Sequence, residues 1–224
     1  MKVQYDISSS NFIGKKLIEI FYILYNTFGP QYWWPGETPF EIIVGAILTQ
    51  NTAWKNVEKA IDNLKRANVL TPQAIFSLPY SYLLELIRPA GFFNIKAKRL
   101  KNFLKFLFEE YGGNLKKMFE EDTELLREKL LKIPGIGPET ADSILLYAGQ
   151  KPTFVVDAYT KRVLFRHNLV SEESDYEEIR KLFLEHLPQD EKLFNEYHAL
   201  FVTVGKNYCR PKPKCEKCPL KGFE

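Results

Sequence analysis

Apolar residues recur at helical spacing through most of the 224-residue chain, and Gly- and Pro-punctuated turns separate the stretches. Between Phe12 and Phe28, residues Ile13, Leu17, Ile20, Phe21 and Leu24 fall on one face, and Ile18 and Ile23 widen the stripe to that of a largely buried helix. It stops at Gly29-Pro30. A second apolar helix is predicted over Phe40 to Leu48, and a third follows the polar turn Thr49-Gln50-Asn51-Thr52-Ala53-Trp54 and runs through Arg66. Interruptions at Ser77-Leu78-Pro79 and Arg88-Pro89-Ala90-Gly91 precede a basic helix from Ile95 to Tyr111, which Gly112-Gly113-Asn114 closes. Asp122 to Leu131 then leads into a sharp turn, Pro134-Gly135-Ile136-Gly137-Pro138, and an apolar helix with Ala141, Ile144, Leu145 and Ala148 on one face. Beyond Asp157, helices are expected from Ala158, from the acidic start Ser171 to Asp175 as far as about His186, and from Glu191 to Val204. No stretch alternates with the period of two that a half-buried strand requires. The pattern predicts an all-α protein of about ten helices joined by short turns.

Composition narrows the class without naming a function. A chain of this length, 45% hydrophobic and 26% charged, can bury a core as one large domain or two small lobes. No apolar run approaches the roughly 20 residues that span a bilayer, and the first residues lack a secretory pattern, so a cytoplasmic protein without membrane contact is expected. In that compartment the three cysteines read as metal ligands or free thiols rather than disulfides. The net charge of +3 barely argues for nucleic acid. Its distribution argues better, because basic residues gather in Lys96-Ala97-Lys98-Arg99-Leu100-Lys101, at Lys161-Arg162 and from Lys206 to Lys217.

Four features carry candidate chemistry. At the central turn, Gly135 and Gly137 let backbone approach a ligand closely, and the amides of the helix start favour an anion such as a phosphate. Asp157 either caps the helix after it or supplies a carboxylate to a developing cation, and one side chain can do both. Trp33 and Trp34 lie in a Pro/Gly-rich loop, where they can plug a core or form a stacking wall. The C-terminal Cys209-x5-Cys215-x2-Cys218 has spacing suited to an iron–sulfur cluster or zinc. His198 reads as a packing residue.

In order along residues 12 to 218, FEIIVGAILTQNTAWKNV, GFFNIKAKRLKNF, PGIGPETAD, Val155-Val156-Asp157 and HALFVTVGKNYC with the cysteines resemble the helix-hairpin-helix DNA glycosylase superfamily, endonuclease III-like. The resemblance implies a two-lobed, all-α glycosylase fold with a helix-hairpin-helix motif and a C-terminal cysteine loop. Residues 30–135 would form a six-helix lobe, and residues 1–29 with 136–224 a second lobe carrying the catalytic aspartate, Asp157. Members that also cleave the backbone place a lysine 18 positions before that aspartate; here the residue is Glu139, which cannot form a Schiff base. Lys132, Lys151 and Lys161 lie nearby, but none occupies the motif position.

Within the superfamily, Trp-Trp-Pro, Leu-Thr-Gln-Asn-Thr-x-aromatic and Gly-Ile-Gly-x-Glu-Thr-Ala-Asp most resemble the endonuclease III-like 3-methyladenine DNA glycosylases. That likeness implies a pocket of Trp34, Trp54 and Glu139, in which aromatic faces attract a cationic alkylated purine. Gln50 or Asn51 would fill the gap left by an extruded base. Asn94, Lys96, Gly135, Gly137 and Arg162 would hold double-stranded DNA, with a monovalent cation at the hairpin. A [4Fe-4S] cluster would bind Cys209, Cys215 and Cys218; where the family has a fourth cysteine this chain has Glu224. The expected protein is a monomeric, monofunctional base-excision glycosylase, associated with the nucleoid through DNA. Its rivals are a glycosylase for mismatched or oxidised bases and a non-catalytic DNA-binding module.

Overall fold

The computed structural model describes residues 12–33 and 36–223. Every regular element among them is helical. In chain order these are α1 (Phe12–Phe28), α2 (Pro39–Leu48), α3 (Trp54–Arg66), α4 (Pro72–Ser77), α5 (Tyr80–Ile87), α6 (Phe93–Tyr111), α7 (Leu115–Phe119) and α8 (Thr123–Leu131). Then follow α9 (Pro138–Ser143), a π turn at Ile144–Ala148, α10 (Ala158–Arg166), α11 (Tyr176–His186) and α12 (Glu191–Asn207). Short 3₁₀ turns at Arg88–Ala90 and Cys215–Lys217 complete the set. The helices beyond the expected ten include α4 and α7, whose six and five residues are too few to display a period.

Local chemistry explains several helix ends. Thr38 and Thr71 cap α2 and α4 with prolines in the first turn, and Asp122, Asp175 and Asp190 cap α8, α11 and α12 through their side chains. Asp175 and Glu178 form a reciprocal capping box. At the end of α6, Gly112 and Gly113 take left-handed angles of +63° and +79°, which a residue with a Cβ adopts only with strain.

The described residues group into two compact units, 12–33 with 152–223 and 36–151. The central turn, α9 and the π turn therefore fold with the second unit, which ends at 151 rather than at 135. The reason is packing: α9 and the π turn lie against α2, and Ala141, Ile144, Leu145 and Ala148 join the same core as Ile43, Ile47, Leu104 and Leu130. The expected continuous helix here widens into the π turn after Ser143, a change of hydrogen-bond register that apolar periodicity does not report.

In the first unit, α1, α10, α11 and α12 surround an aromatic core. Phe154 and Phe183 stack with centroids 3.6 Å apart, and Tyr197 meets Phe183 edge-on at 5.4 Å. The Tyr197 hydroxyl donates to the Leu17 carbonyl at 2.7 Å, which ties α12 to α1, and burial pushes its pKa well above the ordinary phenol value. Arg180, also buried, donates to Thr153 at 2.9 Å.

Candidate active site and nucleic-acid interface

In the second unit, the turn before α9 is fixed from three sides. Ile133 and Ile136 are buried anchors, and the Ile136 amide donates to the Ile133 carbonyl. Asn102 of α6 donates to the Pro134 carbonyl at 2.9 Å. Gly135 has φ +98°, and a Cβ there would lie 2.3 Å from Cγ of Arg99, so glycine serves both the backbone angle and the close passage of that side chain. Gly137 caps α9 in extended conformation with open space where a Cβ would be, and Glu139 lies exposed in the first turn. Gly135, Gly137 and Glu139 of this turn are all exposed.

Gln50 binds this turn rather than standing clear of it. Its amide donates to the Thr140 hydroxyl at 2.7 Å and to the Gly135 carbonyl at 3.3 Å, while Arg99 donates to its side-chain oxygen. Asn51, next in the chain, is exposed in a left-handed conformation at φ +53°. Trp54 begins α3 and packs half-buried against the core. Trp34 and Glu224 lie outside the described residues.

Two residues expected to touch DNA are engaged internally. Lys96 is only 1% exposed, and its ammonium donates to the Ala90 carbonyl at 2.7 Å, satisfying the end of the 3₁₀ turn. Burial, with Arg99 nearby, holds its pKa below the ordinary lysine value. It therefore has no surface to offer a phosphate. Arg162 donates to the Cys209 carbonyl at 2.6 Å, lies over the Tyr159 ring at 5.2 Å, and so braces the C-terminal loop. Asn94 is exposed at the start of α6, where its carbonyl accepts from Tyr80.

In the first unit, Asp157 performs the cap the sequence allows. Its Oδ1 accepts from the Thr160 amide at 2.7 Å, opening α10. Its Oδ2 lies 3.5 Å from Nε2 of His198, a residue of α12 that is 5% exposed. Burial pushes the carboxyl pKa up, but His198 and the Thr160 amide outweigh it and hold the group below its ordinary value, so the carboxylate is ionised at neutral pH. Trp33 meets the His198 ring edge-on at 6.4 Å. His198 thus does more than pack. A signal existed in its place among Phe194, Tyr197 and Phe201 on a buried face, where a polar ring needs a partner.

The three cysteines are free thiols lining one cavity of about 510 Å³, with Arg166 and His167. Arg166 donates to Cys209 Sγ at 3.3 Å and to the Arg210 and Pro211 carbonyls, a guanidinium seat that composition alone did not reveal. Burial and the other two sulfurs push the Cys218 thiol pKa up. Among the described residues, no three His, Cys, Asp or Glu side chains converge on a single metal ion. A cavity walled by three thiols is chemically suited to a larger sulfur-bound group.

Comparison with known proteins adds three relatives. A Methanocaldococcus jannaschii protein provisionally named a DNA repair glycosylase is 52% identical over 92% of this chain and 94% of its own length. Endonuclease III of Thermotoga maritima is 33% identical over 82% of this chain and 81% of its own. The crystal structure of H. pylori 3-methyladenine DNA glycosylase bound to 1,N6-ethenoadenine superposes with a TM-score of 0.72 and 31% identity, covering 87% of this chain and 95% of that one. The pattern of the HhH-GPD superfamily of base excision DNA repair proteins matches residues 44–189, which include both the glycine turn and Asp157. With that match over more than half its length, the chain belongs to the HhH-GPD superfamily and is an endonuclease III-like DNA glycosylase.

Proposed function

We propose that the chain hydrolyses the N-glycosidic bond of alkylated purines in double-stranded DNA, 3-methyladenine foremost, and does so with water rather than an enzyme amine. The observation that carries the chemistry is the half-buried Asp157 carboxylate, with one oxygen on the Thr160 amide at 2.7 Å and the other 3.5 Å from Nε2 of His198. As the bond to an alkylated base breaks, positive charge grows on the sugar, and a fixed, poorly solvated carboxylate stabilises it and orients the attacking water. An alkylated purine already carries positive charge and leaves readily, so little acid assistance is needed. The absence of lyase chemistry rests on Glu139 in the first turn of α9, where a carboxylate stands at the motif position of the lysine.

The alkylpurine substrate is supported by the motif likeness, which implies a pocket of Trp34, Trp54 and Glu139, and by the likeness to the H. pylori 3-methyladenine glycosylase. Of the two gap-filling candidates, Asn51 is favoured, because Gln50 must first break its contacts with Arg99, Thr140 and Gly135. The exposed turn at Gly135 and Gly137 would take a phosphate without reading sequence. Cys209, Cys215 and Cys218 would hold a [4Fe-4S] cluster, which when bound supplies a structural clasp for the basic C-terminal loop.

The test is free-base release from methylated duplex DNA by the wild type and Asp157→Asn, with strand integrity read before and after alkali. Release of 3-methyladenine that the substitution abolishes, with breaks only after alkali, is expected. Strand scission without alkali would overturn the argument from Glu139, and release of only mismatched or oxidised bases would overturn the substrate.

A further inference from the structure

One Asp157 oxygen is held by a helix cap, and the other lies close to a buried imidazole. Oδ1 belongs to the start of α10 through the Thr160 amide at 2.7 Å. Oδ2 faces outward from that helix to Nε2 of His198 on α12, at 3.5 Å. The two helices pack tightly: a Cβ on Gly205 of α12 would lie 2.5 Å from the Tyr159 ring of α10, so glycine is what lets them come this close. Trp33 meets the imidazole edge-on at 6.4 Å. The distance and direction of His198 from Oδ2 are therefore set by helix packing rather than by a mobile side chain.

We propose that His198 is a positioning residue for Asp157: its Nε2–H donates to Oδ2 and fixes the rotation of the carboxylate while Oδ1 stays with the helix. This rests on reading Asp157 as the catalytic carboxylate. A carboxylate cannot donate, so the ring nitrogen facing it is the one that carries the proton of the shared hydrogen bond. Without that partner, burial would favour the protonated acid, which cannot stabilise a cation. Catalytic hydrogen bonds are commonly long before substrate binds and shorten in the reacting complex, and 3.5 Å fits that stage.

The test compares His198→Leu and His198→Gln, which both fill the buried site, only the second keeping a donor. Single-turnover release of 3-methyladenine is measured beside affinity for duplex DNA bearing a tetrahydrofuran abasic site. His198→Leu is expected to slow release by up to about 100-fold, the scale of a displaced catalytic group, with DNA affinity within about twofold of wild type. His198→Gln should recover most of the rate. In an Asp157→Asn background, His198→Leu should cause no additional loss, since there is no longer a carboxylate to position.

Equal losses in both backgrounds, or a wild-type rate in His198→Leu, overturn the proposal while leaving Asp157 catalytic. Release by Asp157→Asn at the wild-type rate overturns the reading of Asp157 itself, and the proposal with it. Should His198→Leu melt below the assay temperature, the ¹⁵N resonances of the ring carry the test. Asp157→Asn must then shift Nε2 of His198 and leave His167 and His186 unmoved; an unmoved Nε2 overturns the proposal.

Discussion

The substitution Asp142→Asn isolates what holds α9 to α8. Asp142 is fully buried, and its two oxygens accept from Nε and Nη2 of Arg127 at 2.9 and 3.0 Å, a forked pair with Arg127 only 7% exposed. Asparagine keeps the shape and one acceptor but removes the charge, so the buried guanidinium loses the counter-charge of Asp142. Breaking one side of a buried pair in this way costs about 3–5 kcal/mol, a large share of the roughly 5–15 kcal/mol that stabilises a folded domain. For a chain of this size each kcal/mol lowers the melting temperature by about 2–4 °C, giving a fall of about 6–20 °C. Thermal unfolding followed by circular dichroism reads that fall directly, and amide exchange should quicken first in α8 and α9. Replacing both partners, Arg127→Met with Asp142→Leu, should recover most of the loss, because the cost lies in burying a guanidinium stripped of the Asp142 charge rather than in the absence of the pair. A single Asp142→Asn variant melting within about 2 °C of wild type would refute the reasoning, since it would mean Arg127 finds water or another partner without strain.

Four other outcomes are expected. Lys96→Met should leave the salt dependence of DNA binding unchanged, whereas loss of a phosphate contact would lower the slope of log K against log salt by about 0.9. The same variant should flatten part of the pH dependence of stability: with its folded pKa held below 10.5, Lys96 binds its proton more readily in the unfolded chain, so stability rises with pH up to that value. Urea midpoints from pH 8 upward measure this slope, and an identical slope in Lys96→Met would overturn the burial argument. Asn51→Ala should weaken binding to lesion-containing duplex more than to undamaged duplex, while Gln50→Ala should instead lower the melting temperature through loss of its contacts to Thr140 and Arg99. Anaerobically purified protein should absorb in the visible range where thiolate-to-iron transitions fall, and Cys215→Ser should diminish that absorbance; colourless wild-type protein with no bound iron would exclude the cluster.

Much of the helical framework was legible because burial leaves a stripe at the helical period, as from Ile13 to Leu24 in α1. Asp157 was legible for a local reason, since the residues after it read as a helix start that needs a cap. What the sequence hid is non-local. Lys96 sits in a basic run that reads as a phosphate contact, yet Ala97 and Leu100 share its buried face and the Ala90 carbonyl draws its ammonium inward. Arg162 reads as a DNA contact, but a distant loop supplies the carbonyl it binds. The pairing of Asp157 with His198, and of Arg127 with Asp142, depends on which helices pack together, and that is not a periodic property. The widening of the helix at Ile144–Ala148 has no counterpart in the apolar pattern at all.

The cap that Asp157 provides to α10, together with the catalytic role proposed for it, decides which inactive protein is useful. Alanine at that position would remove the cap of α10 together with the charge, and losing an Asp cap costs about 0.5–2 kcal/mol. Asparagine caps a helix as well as aspartate does, so Asp157→Asn keeps the Thr160 amide satisfied while stripping the carboxylate from the chemistry. Such a protein would stay folded, settle on its lesion and remain there, a capture reagent for marking where damaged bases lie along a genome.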